Sequence, residues 1–149
     1  MIKEKHINKP HHKQEKKWTC LPSCIRICLE LLGKKLDEEE IAKLCETNLF
    51  GTKPQNAEKS VKGLGFNCSR ITVNLNNIFN FVSNDIPVVI WIYPAYIENT
   101  ERLHAVIVNG YSTKGIVYFD PYHKKEIEED YVTFSDRLET NNNGMIIWK

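Results

Sequence analysis

The chain has 149 residues, 42% of them hydrophobic and 26% charged, with a formal net charge of +1, which fits one ordinary globular domain with a real core. So small a charge excludes a dedicated nucleic-acid surface, which needs a strong basic excess. The longest apolar run, Ile86 to Ile97, is too short for a membrane span of ~20 residues.

Residues 1–17 are polar, contain Pro10 and read as irregular, with 1–13 an arm ahead of a single domain over 14–149. Lys3, Lys5, Lys9, Lys13, Lys16 and Lys17 outnumber Glu4 and Glu15 there. A solvated extension explains this; contact with an anionic partner is the alternative. The segment has no apolar stretch or cleavage site of a secretory signal. The spacing of Ile25, Cys28, Leu29, Leu31 and Leu32 predicts a helix from about Cys20 to Leu32 that stops at Gly33. Pro22 is tolerated in its first turn, where no N–H partner is lost. Asp37 and Glu40 form a capping-box pattern for a second helix, whose apolar side is Ile41, Leu44 and Cys45. A third helix is expected from about Pro54 to Lys62, closed by Gly63 and Gly65. Phe66 to Val73 reads as a strand, and Asn74 as the cap of a helix through Val82.

From Pro87 the character changes. Strands are expected at Val88–Tyr93, His104–Tyr111, Gly115–Phe119 and Met145–Trp148. Helices early and antiparallel strands late give an α+β domain, a helical half packed on a sheet half.

Cys20 is the candidate nucleophile. A helix N-terminus and an imidazole both favour thiolate, and Cys20 precedes the apolar helix face. Cys24, one turn inside, is the competitor but fits the core better. Cys24, Cys28, Cys45 and Cys68 read as buried small hydrophobes. Five cysteines without a disulfide-like arrangement fit a reducing compartment, so the cytoplasm is expected. His104 opens an apolar strand at the sheet rim, where a base belongs, while His123, three residues past Asp120, is the alternative base. The short Tyr111–Gly115 connection makes a hairpin, which returns Asp120 to the edge where His104 begins. Cys20-x3-Cys24-x3-Cys28 lacks metal-ligand spacing and no phosphate-binding loop is present, so no metal or cofactor is expected. Trp91, Tyr93 and Tyr96 read as core packing, with a cleft lining as the alternative.

The segment Gln14 to Gly33, with Trp18, Cys20 and Pro22, resembles the opening of the bacteriocin-processing (double-glycine) cysteine peptidases of the papain-like superfamily. Leu103-His104-Ala105-Val106-Ile107-Val108-Asn109-Gly110-Tyr111 is similar to that family's histidine strand, and Val117-Tyr118-Phe119-Asp120-Pro121-Tyr122 to its Asp-Pro strand end. The resemblance implies a papain-like fold and a peptidase acting through an acyl-enzyme. Cys20 would be nucleophile, His104 base, Asp120 its orienter, and Gln14, with the Cys20 N–H, the oxyanion hole. It further implies a peptide or protein substrate, with a small or glycine residue before the cut, touching Trp18, Leu21 and Leu103. Leu21 stands where the family usually has glycine, and Thr19 where it often has aspartate or asparagine; Leu21 is expected to narrow the cleft or change which residue is accepted. An acyl transferase or transpeptidase with the same triad, or a non-catalytic peptide-binding module, are the rival readings.

Overall fold

The computed structural model of the chain describes residues 3–93, 103–138 and 143–149. Tyr96, the Glu101-Arg102 pair that precedes His104 and the end of the Ile86–Ile97 run lie outside them. In chain order the elements are β1 (Lys5–His6), α1 (Cys20–Leu31), α2 (Glu38–Leu44), α3 (Pro54–Gly63), β2 (Asn67–Thr72), α4 (Leu75–Ser83), β3 (Val88–Ile92), β4 (His104–Tyr111), β5 (Gly115–Asp120), β6 (Lys125–Asp130), α5 (Tyr131–Arg137) and β7 (Asn143–Trp148).

Local chemistry explains where the helices start and stop. Behind α1 the chain turns at Gly33 (φ +92°), where Gly33 N–H donates to Glu30 O and Lys34 N–H to Leu29 O, a Schellman ending that favours a residue without Cβ. Asp37 opens α2, its N–H donating to the Glu40 carboxylate at 3.3 Å. Pro54 begins α3, and the Asn74 side chain accepts from Asn77 N–H at the start of α4.

The strands form one seven-stranded sheet in the order β2-β7-β3-β4-β5-β6, every pairing antiparallel, with β1 added on β4. Its central strands are clothed on both faces, which is why Val88–Ile92 and Ala105–Val108 read as unbroken apolar runs rather than alternating ones. On one face Val89, Ala105, Ile107, Phe119, Met145 and Ile147 pack under α1, α2 and α3. On the other, Val88, Ile90, Val106, Val108, Ile116 and Ile146 meet residues of α4 and α5. This is the expected α+β arrangement.

Three elements escape the sequence reading. β6 and α5 follow the Asp-Pro turn, and β1 lies within the arm expected to be irregular. That expectation is corrected: Lys5 and His6 pair with Tyr111 and Gly110, and Ile7 N–H donates to Asn109 O at 2.7 Å. Lys9 Nζ then lies 3.4 Å from the centre of the Phe119 ring, and His11 meets that ring edge-on. Gln14 N–H finally donates to Pro121 O at 2.9 Å. Polar residues can follow this course because the sheet supplies backbone partners and an aromatic face. Gly110 permits it, since a Cβ there would sit 2.6 Å from Lys5 O.

Candidate active site

The site forms where the N-terminus of α1 meets the start of β4. Lys16 to Thr19 make a tight turn: Lys16 N–H donates to Thr19 Oγ1 at 3.0 Å, and that hydroxyl donates back to Lys16 O at 2.9 Å. Thr19 O then accepts from Ser23 N–H, which starts the helix and leaves half-buried Cys20 in its first turn.

Cys20 shares a hydrogen bond with the His104 side chain. Burial alone would raise the thiol's pKa. The bond to His104, the imidazole's charge and the backbone N–H groups of Ala105 and Leu21 outweigh it, so the thiol lies below its ordinary value. His104 shifts the other way. Burial disfavours its charge, yet hydrogen bonds to Asp120 and Cys20, with their negative charges, raise its pKa to about 9. The two displacements together favour a thiolate–imidazolium pair at neutral pH.

Asp120, 1% exposed, ends β5. Its Oδ1 accepts from His104 Nε2 at 2.7 Å and from Tyr122 N–H at 2.9 Å. With Nε2 turned to the carboxylate, Nδ1 is the ring nitrogen left for the thiol. The antiparallel β4–β5 pairing makes this reach short, as the hairpin argument requires. Gln14 is buried beside the Asp-Pro turn through its backbone bond to Pro121, and its Nε2 donates to Lys16 O at 2.7 Å.

His104 and Asp120 are therefore joined by a hydrogen bond with Cys20 beside the imidazole, and Gln14 is bonded to the turn that follows Asp120. Trp18 and Leu103 are partly exposed neighbours of Cys20 and His104 in the chain, with Lys16 Nζ 5.6 Å from the Trp18 ring centre. Leu21 is corrected as a cleft residue: it is 2% exposed and packs in the helix-side core with Ile25 and Cys28. Its i, i+4, i+7 spacing with those two residues is the signal that places it there. His123 Nδ1 lies 3.6 Å from Asp120 Oδ2, while His104 is the imidazole bonded to Cys20. One residue went unnoticed: Glu38, at the start of α2, whose buried carboxylate accepts Glu15 N–H at 2.7 Å.

The other thiols face different surroundings. Burial raises the pKa of Cys24 well above its ordinary value, takes Cys28 and Cys68 to about 12, and raises Cys45.

Residues 6–143 match the model of the Peptidase_C39 like family. No curated protein matches the sequence. Among solved structures, the chain resembles one described as a C39-like peptidase from Bacillus anthracis, with 14% identity, TM-score 0.83, and coverage of 99% of this chain and 98% of that one. It also resembles the peptidase domain of Streptococcus ComA, a bi-functional ABC transporter involved in a quorum-sensing pathway, at 18% identity, TM-score 0.78, and coverage of 96% and 98%. A double-glycine-motif protease from an AMS/PCAT transporter, solved with its leader peptide, matches at 15% identity and TM-score 0.77 over 99% of both chains. With the family model spanning nearly the whole sequence, this chain belongs to the Peptidase_C39 like family and is a cysteine peptidase.

Proposed function

We propose that this peptidase cleaves a peptide bond through an acyl-enzyme, with Cys20 as nucleophile, His104 as base and acid, and Asp120 as orienter. The observation that carries the reading is the 2.7 Å bond by which Asp120 holds the His104 ring beside Cys20, and the opposed shifts of thiol and imidazole agree with it. Cys20 sulfur attacks the carbonyl carbon, and the oxyanion takes hydrogen bonds from the Cys20 N–H and the Gln14 amide. The His104 imidazolium gives its proton to the leaving amine, so the C–N bond breaks and a thioester remains. Water, losing a proton to His104, then releases the acid and restores the thiol. Asp120 fixes the ring so that Nδ1 faces sulfur in both steps.

The proposed substrate is a leader-bearing peptide with a small residue before the cut, held in part by Trp18 and Leu103. The leader peptide bound to the transporter protease with the same fold supports this substrate class. All five cysteines are free thiols, which supports a reducing compartment such as the cytoplasm. Among the described residues no helix is long and apolar enough to cross a membrane.

Timed alkylation with iodoacetamide, mapped by mass spectrometry, together with cleavage of a peptide carrying a Gly-Gly site, tests the proposal. Cys20 is expected to label first and Cys20→Ala to abolish cleavage. Labelling of Cys20 no faster than of Cys45 or Cys68 would sink it.

A further inference from the structure

α2 begins with three glutamates in succession, and they do not share an environment. Glu39 and Glu40 are exposed, where an acidic first turn complements the helix's positive end. Glu38 is 1% exposed. Complementing a helix end does not require burial, and burying a carboxylate is costly unless polar groups meet it.

The groups that meet it all belong to the nucleophile's surroundings. Glu38 Oε2 accepts Glu15 N–H at 2.7 Å, and the side chains of Thr19 and Ser23 lie beside the same carboxylate, with Thr19 giving its hydroxyl proton to Lys16 O. Glu15 follows Gln14, Thr19 precedes Cys20, and Ser23 lies in the first turn of α1. One side chain of α2 thus anchors the start of the segment from Gln14 to Cys20, whose other end the Lys16–Thr19 turn folds back beside the same carboxylate. The opposite end of that arrangement is fixed by Gln14 N–H on Pro121 O. Burial raises the Glu38 carboxyl's pKa, and the Glu15 N–H with the neighbouring Thr19 and Ser23 side chains opposes that rise without cancelling it.

We propose that Glu38 is a positioning residue that sets the distance between the Gln14 amide and the Cys20 N–H, and so shapes the oxyanion site without touching substrate. This rests on the triad reading above. The thiolate–imidazolium pair does not depend on Glu38, because His104 and Asp120 come from the sheet. Alkylation needs only the thiolate, whereas peptide cleavage also needs a formed oxyanion site, and that difference separates positioning from general support of the fold.

The experiment compares wild type, Glu38→Ala, Glu38→Gln and Glu38→Met, the last filling the space without an acceptor should Glu38→Ala fail to fold. Each is measured for kcat and KM on the Gly-Gly peptide and for the rate of iodoacetamide alkylation at Cys20. Loss of the acceptor is expected to lower kcat on the order of 10²-fold, the cost of misplacing a catalytic group by about 1 Å. KM and the Cys20 alkylation rate should stay within about twofold of wild type. Glu38→Gln, whose amide oxygen still accepts Glu15 N–H, should recover most of the loss. Wild-type kcat in Glu38→Ala or Glu38→Met overturns the proposal, as does a parallel fall of cleavage and alkylation. If Cys20 of the wild type is not selectively alkylated, the triad reading and this one fall together.

Discussion

In the first turn of α1 the Cys20 thiol meets an imidazole and two backbone N–H groups; one turn further on, Cys24 meets the core, and Cys28 follows after another turn. The side chain is the same in all three places, and its proton affinity falls at the first, rises well above normal at the second and reaches about 12 at the third. Burial acts on each in the same direction. The difference lies in what is supplied against it, which at the helix tip is the imidazole of His104 and two backbone N–H groups. Reactivity here is therefore a property of position along the helix rather than of the residue type.

Removing the proposed nucleophile breaks the contrast most completely. Cys20→Ser should lower kcat/KM by at least about 10³-fold, whereas Cys24→Ser and Cys28→Ser should leave peptide cleavage by the folded protein near wild type, read by product formation under saturating and limiting substrate.

Next in size is Asp120→Asn, which keeps the shape and an amide-oxygen acceptor but removes the carboxylate charge that helps raise the His104 pKa. A loss on the order of 10²–10⁴-fold is expected. The pH profile should move with it. In wild type the leaving amine needs the imidazolium, so activity should fall as pH rises through about 9. Without Asp120 the imidazole loses its proton earlier, and that alkaline limb should shift to lower pH. An unshifted limb would detach His104 from the catalytic proton.

How much of this was legible beforehand depends on whether a residue's environment is made locally. The ends of α1 and α4 were readable because Gly33 and Asn74 satisfy backbone groups within a few residues. The approach of Asp120 to His104 was readable because a short hairpin leaves little freedom over which ends meet. β6 was not: Lys125-Glu126-Ile127-Glu128-Glu129-Asp130 carries one apolar side chain, as an edge strand can, and its pairing is decided by β5. α5 buries only Phe134, too little for a helical stripe. Glu38 looked like its two exposed neighbours, since only the fold of residues 14–20 tells them apart. Leu21 was judged by a family's usual glycine when its own spacing already assigned it to the core.

A smaller effect sharpens the contrast through the sheet that holds Asp120. A Cβ on Gly115 would lie 1.9 Å from Glu129 O, so Gly115→Ala must push β6 away from β5. A destabilisation of about 1–3 kcal/mol is expected in thermal or urea unfolding, while the order of thiol reactivity stays the same.

Smallest is Lys9→Met. Burial lowers the Lys9 pKa from 10.5 to about 8, and its charge holds down the pKa of Cys24 and Cys28. Removing it should push both buried thiols higher and widen their distance from Cys20. Because the folded value lies below the unfolded one, the native wild type gains stability as pH rises from about 8 toward 10.5. The variant should therefore be the more stable protein below about pH 8, with the gap in Tm closing above it. A gap independent of pH would mean that Lys9 is not buried as a cation.

The place of β7 in the sheet bears on how the molecule is made. Residues 143–148 are inserted between β2 and β3, so neither of those strands has its neighbour on that side until this late segment has been synthesised. Pairings so distant along the chain are slow to form and leave strand edges open meanwhile. A chain interrupted before Asn143 should thus leave β2 and β3 unjoined even though it already contains Cys20, His104 and Asp120.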